Sequence, residues 1–415
     1  MSIQATMDDI AQPIRGSASS AAALDYPFAI RQAFAFASQL EKGELDVFMP
    51  DGRHFRFSGH EKGPQAVMIV KDIGFARRML SGGDLGMAEA FLDNEWESPD
   101  LTRFLELFCA NRPLIDRLLA GKPVVRFIQM IGHWLNRNTR AGARRNIHAH
   151  YDLGNEFYGA WLDKGMTYSS ALFLDGERDL EKGQTAKYRA LAQAIELRRE
   201  HHVLEIGCGW GGFAEYAACE HGCRVTGLTI SPAQHDFAVA RIAKAGLSDR
   251  VTIKLQDYRD EKGLYDRIAS IEMFEAVGEA YWPAFFGQLR DRLKPQGKAG
   301  VQSITIREAI FANYRREMDF IRHYVFPGGM LPTPTILRDI AGRHGLHVGA
   351  ERGFGHDYAT TLAQWRESFR AAWPKLTGLG FDEKFKRLWE YYLAYCEAGF
   401  VTGMIDVRQM VFAKP

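Results

Sequence analysis

The stretch Val203-Leu204-Glu205-Ile206-Gly207-Cys208-Gly209-Trp210-Gly211-Gly212-Phe213-Ala214 decides the fold. Val203, Leu204 and Ile206 read as a short buried strand, and the glycines that follow as a turn into a helix with Phe213, Ala214 and Ala217 on its apolar face. A turn without side chains lets backbone amides at a helix start approach a ligand closely. The spacing Gly207-x-Gly209-x-x-Gly212 also fits a dinucleotide turn, so the glycines alone leave the ligand open. Glu205 narrows it, because an acid at the strand end suits a ligand with an amino group and hydroxyls. A dinucleotide turn would also want an acid about 20 residues on, where this chain has Gly227-Leu228-Thr229. The reading favours S-adenosylmethionine over NAD.

Outward from that turn, strands alternate with helices from about His148, as in a doubly wound parallel sheet. Strands are expected at Val203–Ile206, Arg224–Leu228, Val251–Leu255, Arg267–Ile271 and Ala299–Ile304. Two more, near Leu346–Glu351 and Val407–Phe412, complete a seven-stranded α/β sheet. Residues 306–332 interrupt the alternation and read as a helical lid insertion. Upstream, alternating strands surround the Pro50-Asp51-Gly52 turn, and Val67 to Met79 reads as a strand followed by a helix. The organisation expected is a disordered leader (1–24), a smaller N-terminal α+β and helical domain (25–135), a basic linker (136–147) and the cofactor-binding domain (148–415). The N-terminal domain would serve lipid binding or oligomerisation, with a homodimer expected.

Bulk composition is that of an ordinary globular chain. Its 415 residues are 46% hydrophobic and 25% charged with a net charge of +1, which argues against a dedicated nucleic-acid partner. Five cysteines without a paired CxxC spacing argue against a disulfide framework or zinc. No apolar run approaches the roughly 18 residues of a membrane span. Between Val124 and Leu135 apolar residues recur at helical spacing opposite Arg126, Gln129, His133 and Arg137, and Arg140, Arg144 and Arg145 follow. That pattern serves either a packed helix or a basic helix resting on an anionic membrane.

At the strand ends, Asp257 is placed to accept from an adenine amine, with Tyr258 beside it. Thr229, Ser231 and Gln234 open the helix after the second strand, where they meet a ribose or cap the helix; capping is the simpler role for Ser231. Two acids, Glu272 and Glu275, lie in an apolar stretch where burial is costly unless they are paired or used. Glu275 is the functional candidate, and Glu272 reads as solvated or salt-bridged. His148 and His150 lack a third ligand nearby, so no metal is expected.

Several motifs then fall in register: His150-Tyr151-Asp152-Leu153-Gly154-Asn155, Met166-Thr167-Tyr168-Ser169-Ser170, the glycine turn, Gln256-Asp257-Tyr258-Arg259-Asp260, Met273-Phe274-Glu275 and Phe326-Pro327-Gly328-Gly329-Met330-Leu331-Pro332. Together they resemble the cyclopropane fatty acid synthase family, including its mycolic acid relatives, over roughly residues 148–415. The resemblance implies a Rossmann-like class I methyltransferase that methylates the double bond of an unsaturated acyl chain already esterified in a phospholipid. It implies a cytoplasmic enzyme held peripherally at the inner membrane face. Cofactor residues implied are Tyr168, Ser169, Glu205, Gly207, Cys208, Gly209, Trp210, Gly211, Gly212, Thr229, Ser231, Gln234, Asp257 and Tyr258. A bicarbonate ion beside the reacting carbons is also implied, on the Ser170 and Ile304 backbones and the Glu275 and Tyr358 side chains. Cys396 matches a cysteine assigned to the family's active site, although an alkene offers a thiolate nothing to attack.

Three positions depart from the family pattern. Ser170 replaces a cysteine, Ala276 replaces the histidine of Phe-Glu-His, and Gln302 stands where a histidine would touch the bicarbonate. Glutamine hydrogen-bonds but takes no proton at neutral pH. After methyl transfer a carbocation remains on the chain, to be stabilised by aromatic faces for which Tyr168, Phe173, Phe274, Tyr324 and Tyr358 are candidates. Loss of a proton from the new methyl closes a cyclopropane, and loss from the chain gives a methyl-branched alkene. The alternatives to a cyclopropane product are therefore that branched alkene, a small soluble lipid as substrate, or a lipid-binding protein without turnover.

Overall fold

The computed structural model describes residues 14–15, 21–114 and 153–415, which divide into two compact units. Most of the leader, the whole amphipathic segment 124–135, the arginine run, His148 and His150 lie outside the described residues.

The first unit holds a five-stranded sheet ordered β1-β3-β2-β4-β5: β1 (Ile14–Arg15), β2 (Lys42–Phe48), β3 (His54–Ser58), β4 (Glu61–Val70) and β5 (Trp96–Glu97). The expected hairpin across Pro50-Asp51-Gly52 is present, with β2 antiparallel to β3. Alternate residues of β2 are buried, so Leu45 and Val47 face a core with Phe34, Phe55 and Phe57. Helices α1 (Phe28–Ala37), α2 (Phe75–Leu92) and α3 (Leu101–Ala110) complete its N-terminal part. Asp100 caps α3 by accepting from the Arg103 amide at 3.0 Å.

The second unit is a seven-stranded sheet ordered β11-β12-β10-β9-β6-β7-β8. Its strands are β6 (His202–Ile206), β7 (Arg224–Thr229), β8 (Val251–Leu255), β9 (Tyr265–Ile271), β10 (Leu293–Ile306), β11 (His347–Gly353) and β12 (Ile405–Ala413). All seven expected strands form. One detail departs from an all-parallel sheet: β12 slots between β10 and β11 and runs antiparallel to both. An antiparallel neighbour needs no crossover across a sheet face, which frees the preceding chain for helices.

Consecutive strand residues alternate between two cores. Leu204, Ile268, Met410 and Phe412 join one, with Phe285 and Leu289 of α7 (Trp282–Arg292). Val203, Ala269 and Val411 join the other, with Leu191 of α4 (Leu180–Ala194), Phe213 of α5 (Gly212–His221) and Ile242 of α6 (Pro232–Lys244). Burial on both faces is why these strands read as continuous apolar runs.

The insertion expected at 306–332 forms α8 (Glu308–Arg316) and a π-helical turn, Ile321–Val325. Buried Arg322 ties it together, donating to Asp319 at 2.9 Å and to the carbonyls of Tyr314 and Glu317. Its far end is fastened to the site by the Met330 amide, which donates to the Glu275 carbonyl at 3.0 Å. Helices α9 (Pro334–Arg343) and α10 (Gly355–Gly378) follow.

The last helix, α11 (Glu383–Val401), corrects the expected boundary, because residues 380–402 group with the first unit. There Glu397 accepts from the buried Thr102 hydroxyl at 3.0 Å, and Tyr391 packs on Phe91. An apolar helix takes its place by burial rather than by sequence order, so the second unit is interrupted between α10 and β12.

Candidate functional site

The carboxyl ends of β6, β7, β9 and β10 gather the candidate residues. At the end of β6, Gly207 has φ +80°, and a Cβ there would lie 2.6 Å from Met273 Cγ. Gly209 has φ +52°, and a Cβ there would point into open space. Only glycine serves both positions cheaply, and the result is bare backbone leading into α5. Glu205 sits buried below this turn. One face of its carboxylate accepts from the Ala214 amide, while Oε2 has no hydrogen-bond partner. Burial pushes its pKa up to about 8. A buried acid with an unused oxygen beside a turn free of side chains fits a cationic, amino-bearing ligand, as S-adenosylmethionine is.

Around the turn, the expected cofactor residues divide by role. Trp210 donates to Asn155 Oδ1 at 2.8 Å, and Cys208 is buried. Thr229 donates to Gln234 Oε1 at 2.9 Å and accepts from the Ser231 amide at 3.2 Å. Ser231 caps α6 by accepting from the Gln234 amide, the simpler of its two expected roles. Tyr168 packs among Tyr158, Trp161 and Trp365. Ser169 accepts from Lys187 Nζ at 2.7 Å through its hydroxyl and from Gln184 at 2.8 Å through its carbonyl. Tyr258 packs edge-on against Phe285.

Asp257 is held by a close neighbour in sequence. Arg259 donates to both its oxygens, at 2.9 and 2.6 Å, and the Arg259 amide donates as well. An adenine amine would have to share an oxygen that already carries a bidentate ion pair.

The ends of β9 and β10 carry the second half of the site. Glu272 is half-buried and hydrogen-bonded within the protein, not solvated or salt-bridged as expected of it. Its Oε1 accepts from the Ser170 amide at 2.8 Å and from Gln302 Nε2 at 2.8 Å, and its Oε2 accepts from the Tyr358 hydroxyl at 2.5 Å. Gln302 is oriented by Gln409, whose amide donates to Gln302 Oε1 at 3.0 Å. Glu272 also has φ +50°, a left-handed conformation uncommon outside glycine, and its own amide donates to the Gln302 carbonyl at 2.8 Å.

Glu275 lies one short turn further on. Its Oε1 accepts from the Ile304 amide, and its Oε2 has no hydrogen-bond partner. Burial, and then the neighbouring Glu272 charge, push its pKa up to about 8. Burial also raises Glu272, against the Tyr358 bond, the Lys187 charge and the other donors, which favour its ionised form. Lys187 is buried too, and that burial lowers its pKa to about 8. Of the two, Glu272 has more neighbouring groups that favour its ionised form.

Three residues of this arrangement escape sequence reading, Lys187, Gln184 and Gln409, while Glu272 is noticed but given another role. Lys187 had a signal, since it shares the buried face of α4 with Gln184 and Leu191 at helical spacing. Gln409 had none, because only the sheet brings it beside Gln302. Among the aromatic candidates, Phe274 is core, packed on Trp282, Phe285 and Phe286. Cys396 lies on α11, which groups with the first unit.

Comparison with known proteins shows the family to which the chain belongs. Residues 138–410 match the family model for mycolic acid cyclopropane synthetase. A tuberculostearic acid methyltransferase of Mycobacterium tuberculosis is 38% identical over 368 residues, covering 84% of this chain and 83% of its own length. The cyclopropane-fatty-acyl-phospholipid synthase of Escherichia coli K12 is 34% identical over 392 residues, covering 89% and 96%. A crystal structure of a mycolic acid cyclopropane synthase complexed with SAH and CTAB superposes with a TM-score of 0.62 at 29% identity, over 65% of this chain and 98% of that one.

Proposed function

The chain belongs to the mycolic acid cyclopropane synthetase family, and we propose that it methylates the carbon–carbon double bond of unsaturated acyl chains esterified in phospholipid, giving a cyclopropane. It is an S-adenosylmethionine-dependent methyltransferase acting on lipid acyl chains. The observation that carries the finer reading is the half-buried Glu272–Glu275 pair at the strand ends, next to a bare-backbone turn and the unused oxygen of Glu205.

When bound, S-adenosylmethionine supplies a methyl group on a positively charged sulfur. Glu205 would hold its amino group, and the Gly207–Gly212 turn would leave room for it. An alkene is a weak nucleophile, so what the protein contributes is alignment in a site from which water is kept out. Tyr168, set among Tyr158, Trp161 and Trp365, offers a ring that stabilises positive charge without attacking it. A buried carboxylate then takes the proton.

A second reading, in which the proton leaves the chain and a methyl-branched alkene results, draws on one observation. The carboxylate best able to take the proton, Glu272, is not among the groups the family resemblance implied. Action on lipids in place at a membrane surface is supported by the arginine run at 137–145 and by the phospholipid-synthase relative. Among the described residues no helix is long and apolar enough to cross a membrane.

The test is incubation of the protein with methyl-labelled S-adenosylmethionine and vesicles of monounsaturated phosphatidylglycerol, followed by mass spectrometry and NMR of the released fatty acids. Label with ring-proton signals is the expected result. Label with vinyl or branched-methyl signals would replace the cyclopropane by the second reading. Label only in a soluble lipid would overturn both.

A further inference from the structure

The family resemblance calls for a bicarbonate ion held by the Ser170 and Ile304 amides and the Glu275 and Tyr358 side chains. In this chain those donors are occupied by the protein itself. The Ser170 amide and the Tyr358 hydroxyl donate to Glu272, and the Ile304 amide donates to Glu275. Gln302, at the position of the expected histidine, also donates to Glu272. A free anion would be a third acid group beside half-buried Glu272 and Glu275, with Lys187 as the buried cation that acts on Glu272. Charges so placed out of water are costly unless each is paired and hydrogen-bonded. The residues present do not fit bicarbonate.

They do fit a carboxylate on a tether. Carboxylate and bicarbonate share the planar O–C–O face that two or three donors grip. Glu272 brings that face in by adopting a left-handed backbone, which costs a non-glycine residue roughly 1 kcal/mol. Strain of this kind persists where surrounding bonds hold it, and here four do: three to the carboxylate and one from the Glu272 amide to Gln302. Gln302 takes part in two of those bonds, donating one from its side chain and accepting the other at its carbonyl, and Gln409 fixes which way its side-chain amide faces.

We propose that Glu272 is the built-in replacement for the external anion, so that turnover requires no bicarbonate and the proton released in the last step goes to the Glu272 carboxylate. This rests on the methyl transfer proposed above. In that step a C–H bond of the alkylated chain breaks, and its electron pair forms the ring bond or the new double bond. The proton passes to a Glu272 oxygen, and the thioether left by methyl transfer is the other product. Gln302 and Gln409 act as positioning residues.

The experiment has two arms, both on the full-length protein. The first measures methyl incorporation into monounsaturated phosphatidylglycerol vesicles in carbon-dioxide-free buffer, with and without added bicarbonate. Wild-type rates should agree within about twofold, whereas Glu272→Gly should lose about 100-fold and recover at least tenfold when bicarbonate is added. Several-fold stimulation of the wild type by bicarbonate, or an unimpaired Glu272→Gly, would overturn the proposal. The second arm needs no turnover: carbon-13 NMR of labelled bicarbonate with the protein saturated by S-adenosylhomocysteine. Saturable binding should appear in Glu272→Gly and be strengthened by adding Gln302→His, and be absent in the wild type. Saturable binding to the wild type would overturn the proposal even if the acyl substrate proves different. A wild type that labels no acyl chain yet binds no bicarbonate would refute the substrate and leave the anion replacement standing. Binding of S-adenosylhomocysteine by the variants controls for folding.

Discussion

At the end of β6 the protein offers a ligand bare backbone and one acid, while at the ends of β9 and β10 it offers side chains that have already satisfied one another. The first region is local, since Glu205 to Gly212 are consecutive and their geometry follows from four glycines. The second is assembled from afar, as Ser170, Gln302 and Tyr358 reach Glu272 across 102, 30 and 86 residues of sequence. A site made of backbone tolerates many ligands and is recognised by spacing. A site made of interlocked side chains fixes a reaction, and a single added carboxylate changes what it needs. The contrast predicts that substitutions in the first region act on cofactor affinity and those in the second on turnover.

The largest effect should come from Glu275→Gln, which keeps the shape but removes the ionisable group and disturbs the Ile304 contact. Turnover should fall about 100-fold or more while S-adenosylhomocysteine affinity, measured by calorimetry, stays within about twofold. A matching loss of affinity would break the division between the two regions.

Next is Glu205→Gln, expected to weaken cofactor binding about 30-fold with a smaller change in turnover at saturation, because a hydrogen bond to a charged group contributes roughly 1.5–3 kcal/mol. The pH behaviour sharpens the point. Glu205 and Glu275 hold protons up to about pH 8 in the folded chain, whereas the unfolded chain releases them in the ordinary carboxylate range. The folded state therefore binds more protons in between, and the stability these two groups confer is lost as pH rises through 8. Thermal unfolding of the ligand-free protein should show a midpoint falling between about pH 5 and 8, with a shallower fall in Glu205→Gln.

Tyr358→Phe should cost about tenfold in turnover, since one of three donors to Glu272 disappears. The Tyr358 bond favours the ionised carboxylate, so its loss raises the Glu272 pKa. The acid limb of the pH–rate profile should move to higher pH, which a merely structural role for Tyr358 would not produce.

How far the sequence reached follows the same division. Seven strands, the glycine turn and the acid before it were legible because burial on both sheet faces and a side-chain-free turn leave local marks at Val203–Ile206 and Gly207–Gly212. Glu272 was misjudged because its meaning lies in partners on other elements, and a lone acid in an apolar stretch looks the same whether solvated or gripped. Asp257 was half legible: its place at a strand end was right, but nothing local says that Arg259, two residues on, turns back to take both oxygens. The boundary failed for a related reason. Residues 380–402 follow the cofactor-binding elements in sequence, yet α11 buries Tyr391 against Phe91 and Glu397 against Thr102 in the first unit.

That last correction yields the smallest expected effect. Cys396 resembles a family active-site cysteine, but it lies on α11, whereas Glu272 and Glu275, to which the proposed proton transfer is assigned, follow β9. Its chemistry also points away from a reacting role, because a thiolate beside a carbocation would form a carbon–sulfur bond and stop the reaction. Cys396→Ser should therefore leave turnover within about twofold and lower the midpoint of thermal unfolding modestly, since swapping a packed thiol for a hydroxyl costs of order 1 kcal/mol. Loss of turnover with S-adenosylhomocysteine binding and unfolding midpoint intact would give α11 a part in the reaction and end the assignment of the chemistry to the strand ends alone.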